Sequence, residues 1–373
     1  MSSTETASAR RAHYPPRKLG GLLVALALAA CQSIGPATVP RDRVDYLDSL
    51  GTSWKQQTLL NVVKLRYGDV PIFLEVMQVI AGYQLQTTVA AGVAAGNASA
   101  STVGPFVVGG TAGVGDTYTD RPTVIYAPLT GVDFLKQLMT PIPPTAVLFL
   151  LQSGYSARIS LPLILDSING INNESRRGMR RPADPRFARF VELMQELQLS
   201  GGVESRIERP KDGAENSLIV FGPSRDPDIA AKSAEVRRIL GLKEGIREIR
   251  IRYGGFSGRD DEIDLMTRSM LQVMLELAAT VQVPEAEVTE GRATLGLVDT
   301  QSTGTAEKPA VTILSGESAP KDAYVSVEYR GRWFWVPDTD IQSKATFGFV
   351  MLLFSISGTG AKSGAPVVTV PAQ

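Results

Sequence analysis

Asp184-Pro185-Arg186-Phe187-Ala188-Arg189-Phe190-Val191-Glu192-Leu193-Met194-Gln195-Glu196-Leu197-Gln198-Leu199-Ser200-Gly201-Gly202 is the stretch on which the fold turns. Asp is a favoured N-cap, and Pro is tolerated at the first helical position. Phe187, Phe190, Val191, Met194 and Leu197 recur at helical spacing, and Gly201-Gly202 supplies the stop. The pattern predicts a helix with one apolar face. After it, Val203 to Arg209 alternates as a strand, Lys211-Asp212-Gly213 turns, and Leu218 to Phe221 is the partner. Pro227 to Leu240 predicts a second helix, stopped by Gly241. Arg247 to Tyr253 alternates again, with Ile249, Ile251 and Tyr253 on one face and Arg250 and Arg252 on the other. The order over 185–253 is helix, strand, strand, helix, strand, which places the chain in the α+β (mixed α/β) class.

Towards the C-terminus, Leu265, Met266, Met270, Val273, Met274 and Leu277 predict a long helix from Asp264 to Val281. Residues 284–308 are polar and Gly/Thr-rich and read as a loop. Val311 to Leu314 reads as a strand. Tyr324 to Tyr329 and Trp333 to Val336 flank Arg330-Gly331-Arg332 as a hairpin. Asp338 or Asp340 can cap a final helix whose core, Phe347 to Ile356, is nearly all apolar. Pro366 to Pro371 is a candidate edge strand.

Towards the N-terminus, residues 44–67 predict a helix closed by Gly68-Asp69-Val70-Pro71, and Ile72 to Ile80 suits a strand. Residues 83–120 are rich in Ala and Gly and have a period of two on both sides of a small polar tip at Ala98 to Thr102. Three readings stay open: a flexible loop, a long hairpin contributed to an oligomeric β-barrel in the outer membrane, or a hairpin covering a sheet edge or a neighbouring subunit. The barrel reading demands a ring of subunits, because a lone hairpin in lipid leaves its edge N–H and C=O groups unsatisfied. Thr123 to Tyr126 is a strand and Val132 to Met139 a short helix. Ala146 to Leu151 is a buried helix or strand, and Leu161 to Ile168 is a further apolar segment.

Leu28-Ala29-Ala30-Cys31 ends a run of uncharged residues that begins at Leu19 and is preceded by Arg10, Arg11, Arg17 and Lys18. A basic region, a short apolar region and small residues before a cut describe a signal peptide over residues 1–30. At helical rise the run covers about 18 Å, too little for a hydrocarbon core of about 30 Å. The placement of Cys31 resembles the lipobox of bacterial lipoproteins. That resemblance implies diacylglycerol on the Cys31 thiol, cleavage before Cys31, and an N-acyl chain on the new terminus. Gln32, where the inner-membrane retention signal has Asp, implies the outer membrane, with the protein facing the periplasm. The helix–strand order over 185–253 resembles the ring-building modules of secretins and of lipoprotein rings in secretion systems. Leu59 to Tyr67 and Tyr329 to Trp335 resemble segments of uncharacterised proteobacterial lipoproteins, which imply no activity. The expected organisation is a signal peptide (1–30), a lipidated tether (31–43), an N-terminal α/β region carrying the Ala/Gly-rich segment (44–182), the αββαβ module plus a helix (183–282), and a loop, hairpin and buried helix (283–373).

The chain of 373 residues has 38 basic and 38 acidic residues. Four of the basic residues and one acid precede Cys31, so the remainder carries a net charge of about −3. No global basicity argues for nucleic acid. The one histidine is His13 and the one cysteine is Cys31. Without that leader there is no Ser-His-Asp or Cys-His catalysis and no His-ligated zinc. Arg176, Arg177, Arg180, Arg181, Arg186 and Arg189 form the densest basic patch. It reads either as an anion-binding surface or as a solvated loop and helix start. Asp260, Asp261, Glu262 and Asp264 offer oxygens to calcium but lack EF-hand spacing, and more simply mark a helix start. Ser318 and Lys321 fit S-x-x-K without its partner motifs. Trp333 and Trp335 are candidate interaction aromatics, or core packing against the last helix. The expectation is a non-enzymatic outer-membrane lipoprotein, a structural or assembly component of an envelope or secretion complex. It has no catalytic residue, no metal, and no cofactor beyond the lipid on Cys31. Its partners are the membrane through that anchor and further copies or envelope-complex proteins, with no nucleic acid. The alternatives are a monomeric ligand-binding or chaperone-like periplasmic lipoprotein and a carboxylate-dependent hydrolase.

Overall fold

The computed structural model describes residues 34–80, 83–94, 109–120, 122–175, 181–208, 216–222, 225–296 and 309–357. The protein is α+β. Its elements run α1 (Ile34–Arg66), β1 (Phe73–Ile80), β2 (Tyr83–Ala94), β3 (Gly109–Asp120), β4 (Thr123–Leu129), α2 (Val132–Met139), α3 (Pro144–Gln152), α4 (Ala157–Ile164), β5 (Leu165–Ile168) and β6 (Ile171–Asn172). The second half continues with α5 (Pro185–Ser200), β7 (Val203–Glu208), β8 (Asn216–Phe221), α6 (Pro227–Ile239), β9 (Glu248–Tyr253), β10 (Glu262–Thr267), α7 (Met270–Ala278), α8 (Glu285–Thr289), β11 (Leu314–Gly316), β12 (Ala323–Tyr329), β13 (Arg332–Pro337) and α9 (Ile341–Ser357). The chain divides into two units. One holds Met1–Ser49, Val79–Val124 and Pro371–Gln373; the other holds Leu50–Gln78 and Ile125–Val370.

The larger unit is built on a six-stranded sheet of order β6-β5-β10-β9-β8-β7. Only the β9–β10 pair is parallel; its neighbours are antiparallel. The helices are placed by their caps. Asp184 accepts the Arg186 N–H at 2.9 Å, Pro185 takes the first helical position, and Gly201 closes α5 at φ 67°. Asp226 does the same for α6 through Asp228 N–H at 2.9 Å. Behind the α5 cap, a Cβ on Gly202 would stand 2.7 Å from Ile229 and 2.9 Å from Leu197, so only glycine lets α6 approach there. Asn169-Gly170, at φ 44° and 74°, turns β5 into β6 as an I′ hairpin requires. Phe187, Phe190, Leu193 and Leu197 of α5 are buried with Ile249 and Ile263 of the sheet.

Several expectations are corrected. Residues 264–266 are not helical. They belong to β10, and the helix behind them starts later, at a capping box in which Ser269 and Gln272 satisfy each other's backbone N–H. The strand escapes a period-two reading because Glu262 and Asp264 are buried beside Ile263 and Leu265. Residues 34–43, read as tether, already belong to α1, which takes in Pro40 within its first turns. Ala146 to Leu151 is helical, and Leu161 to Ile168 is divided between α4 and β5. A short helix, α8, interrupts the expected loop at 285–289, and β11 begins at Leu314. Residues 1–33, the tip at 95–108, the turn at 209–215 and the tail at 358–373 lie outside the described residues.

The C-terminal sheet has the order β11-β13-β12. Phe334 and Val336 of β13, and Val325 and Val327 of β12, are buried in the same core as Phe347 and Val350 of α9. Asp340 caps α9 through the N–H and hydroxyl of Ser343. The latter part of α1 is also core, with Leu59, Val62 and Val63 fully buried. Its amides Gln57 and Asn61 each make two hydrogen bonds to the backbone, at Leu74 and Ile72. They stand in for a neighbouring strand along β1, whose strand partner is β4. No described helix is long and apolar enough to cross a membrane.

In the other unit β2 and β3 form an antiparallel hairpin of twelve pairs, from Tyr83↔Asp120 to Ala94↔Gly109, without a bulge. Of the three readings for residues 83–120, a loop does not hold for these two arms.

Candidate functional site

Two polar clusters of the larger unit are candidates. The first is buried. Arg268, 2% exposed between β10 and α7, donates from Nη1 to the Pro162 carbonyl at 2.9 Å and from Nη2 to the Glu174 carbonyl. Its guanidinium lies 3.7 Å from Glu276 Oε1 and 3.8 Å from Asp166 Oδ1. Asp166 also pairs with Arg181 at 3.2 Å, and Glu276 accepts the Ser175 hydroxyl at 3.3 Å. Asn173 donates to the Pro162 and Leu165 carbonyls at 2.8 and 2.7 Å. Two guanidinium groups thus face two carboxylates, and the spare donors satisfy carbonyls at the α4–β5 junction. A buried charge needs this compensation, and the cluster ties the segment after β6 to α7.

The second cluster joins the end of α1 to the C-terminal hairpin, 260 residues apart. Tyr329 donates its hydroxyl to Asp69, and Arg330 pairs with Asp69 at 3.2 Å. The Arg330 guanidinium lies 5.0 Å from the Tyr67 ring centre, and Tyr67 meets Tyr329 and Phe334 edge-on at 5.6 and 6.1 Å. Burial, then Glu287, pushes the Tyr67 phenol above its ordinary range. Burial, then Asp69, does the same for Tyr329. The Tyr329 hydroxyl, helped by Arg330, holds the Asp69 carboxyl below the usual range. Both phenols therefore keep their protons and Asp69 stays ionised near neutral pH. Such groups are poor proton carriers, and the arrangement works as a clasp.

The residues singled out in the sequence are not gathered into a site. Cys31, Arg176, Arg177 and Arg180 lie outside the described residues. Arg181 is tied to Asp166. Arg186 turns back onto its own cap Asp184 at 2.6 Å, and Arg189 pairs with Glu235 at 2.8 Å. Glu262 faces Arg252 at 2.9 Å, Arg259 at 3.4 Å and Arg250 at 3.7 Å, while Asp261 pairs with Arg259 at 3.0 Å. Asp264 accepts the N–H and hydroxyl of Ser257 at 2.7 and 2.6 Å. These acids are held by cations and donors, and the described residues contain no group of three metal-ligating side chains. Ser318 and Lys321 are both exposed between β11 and β12. Trp333 and Trp335 are half-buried, on the face opposite Phe334, and the Trp335 ring lies over Gly316.

Sequence reasoning missed Asp166, Arg268 and Glu276. The signal available for Glu276 was an acid within the apolar helical run Met270 to Ala278. No protein-family model, curated protein or solved structure matches this chain.

Proposed function

We propose that the protein is a non-enzymatic lipoprotein of the outer membrane, facing the periplasm, that builds part of an envelope or secretion assembly together with further copies of itself. The observation that carries the reading is the register of β2 and β3. Directly opposed residues of an antiparallel pair share a face. One face therefore holds Tyr83 with Asp120, Leu85 with Tyr118, Thr87 with Asp116, Val89 with Val114, Ala91 with Ala112 and Val93 with Gly110. The other holds Gln86 with Thr117, Thr88 with Gly115, and Ala90 with Gly113. Towards the tip, from Val89 and Val114 on, the first face is apolar and the other is small and polar, an alternation of the kind found in a membrane barrel wall. Each arm has twelve residues, against roughly 9–11 for a tilted spanning strand.

The edges support self-association. From Val76 to Gly115 the sequence carries no Asp, Glu, Lys or Arg, and the charges of β3, Asp116 and Asp120, come only in its second half, away from the tip. Proteins that keep strand edges apart place charges, bulges or prolines there. In this hairpin the two arms run in opposite directions. The β3 edge of one copy can therefore pair with the β2 edge of the next, and such head-to-tail contacts close rings. The ligand-binding alternative through the arginine patch has less support, because Arg181, Arg186 and Arg189 are each engaged by a carboxylate.

The test is the native mass, with cryo-EM images, of the full chain extracted in detergent. A closed oligomer is expected. A strictly monomeric particle at micromolar concentration sinks the assembly. Anchoring is tested separately: a Cys31→Ser precursor should lose acylation and outer-membrane fractionation.

A further inference from the structure

We infer that the first turns of α1 lie flat on the lipid surface, with Val39, Val44 and Leu47 turned into it and Arg43 among the headgroups. This deepens the lipid-anchored reading and rests on it.

Val39, Val44 and Leu47 are 58%, 63% and 61% exposed. At about 100° per residue, Val39, Arg43, Leu47 and Val44 fall within an arc of about 140°. Asp42, Asp45 and Asp48 fall in an arc of about 120° on the other side of the helix. The same short stretch therefore separates its apolar residues from its acids. Arg43 sits inside the apolar arc and is exposed. A basic side chain beside apolar ones, with acids facing away, suits an anionic lipid surface.

The chain before the helix favours the same occupant. Cys31 precedes Ile34 by three residues, which span at most about 10 Å. A lipid on Cys31 thus brings the start of α1 to the headgroups. Leu47 lies about 20 Å along the helix axis from Ile34, so an upright helix would carry it away from the membrane, whereas a flat one keeps all three apolar residues at the interface.

The test uses the full chain, acylated and placed in vesicles of phosphatidylethanolamine and phosphatidylglycerol. With Cys31 acylated, the thiol of a Leu47→Cys variant is the only one free for an environment-sensitive fluorophore. An Asp45→Cys variant labels the opposite face. We expect the label at 47 to be shielded from aqueous iodide at least fivefold more than the label at 45. Equal quenching at both positions overturns the proposal. The same two labels on the Cys31→Ser chain, mixed with the same vesicles, separate the two readings. If mass spectrometry finds Cys31 unmodified in the wild-type chain, the anchor reading fails, and the Cys31→Ser pair decides whether the helix face binds lipid by itself. In that form Val44→Asp with Leu47→Asp should lower co-sedimentation with vesicles about tenfold, with helix content unchanged by circular dichroism. Unchanged sedimentation counts against the face.

Discussion

The protein contains two long antiparallel hairpins that differ in almost every respect that stabilises a hairpin. In β12–β13 one face carries Val325, Val327, Phe334 and Val336, all buried in the core, and β11 covers one edge. Its two-residue turn, Arg330-Gly331, has φ of 53° and 74°, as a I′ turn needs. In β2–β3 the arms are longer but consist mostly of Ala, Gly, Thr and Val, and no third strand pairs with them among the described residues. An isolated two-stranded hairpin is marginal in water. The first hairpin is folded by what lies beneath it. The second, in the assembly we propose, is completed by neighbouring copies.

Five substitutions, one of them read by titration, probe that contrast. Phe334→Ala should cost about 3–5 kcal/mol of unfolding free energy, because it removes a fully buried ring from the face that holds its hairpin down. Urea unfolding followed by tryptophan fluorescence checks it. Glu276→Ala should cost about 3 kcal/mol, since it removes a carboxylate 3.7 Å from the buried Arg268 guanidinium. A loss under 1 kcal/mol would show that cluster to be dispensable. Tyr329→Phe should remove about 1 kcal/mol by leaving Asp69 without its hydroxyl donor. The pH dependence of Asp69 is weaker still. Its folded-state pKa is lowered, so its contribution is complete above the unfolded value of about 4 and disappears as pH falls through the folded value. At 41% exposure, solvent screens most of it. Asp69→Asn should therefore flatten the acid limb of stability only slightly, read from urea midpoints between pH 2 and 6. Finally, Val89→Lys in the other hairpin should leave the urea midpoint of the monomer within about 0.5 kcal/mol of wild type while reducing the oligomer seen by native mass. A large loss of monomer stability there would erase the distinction between the hairpins.

What could be read from the sequence followed the density of local signals. Asp184-Pro185 and Asp226-Pro227 announce helices at the residues where they begin, and Gly201 and Gly241 announce their ends. β10 was hidden because Leu265, Met266 and Met270 fit helical spacing, while the true start, Ser269 with Gln272 three residues on, went unweighted. The start of α1 is hidden by Pro36 and Pro40: Pro36 falls in the first turn, where proline is tolerated, but Pro40 lies inside the helix, where a proline ordinarily marks a break. The polar clusters were out of reach for a different reason. Arg268 meets Asp166 and Arg330 meets Asp69 across stretches that no local pattern links. The arginine patch drew attention by density alone, and density does not reveal that Arg186 and Arg189 already have carboxylate partners.

The sheet order carries a consequence for when folding can happen. β10 sits between β5 and β9, yet it is the last strand of that sheet to appear in the chain. Until residue 267 is available, β5 and β6 have no neighbour joining them to β7, β8 and β9, and two half-sheets wait with open edges. A chain synthesised from its N-terminus presents those edges for the whole interval between residue 172 and residue 267. Slow, long-range pairing of this kind leaves a chain prone to wrong partners. The last arriving strand thus sets the moment at which the sheet can close.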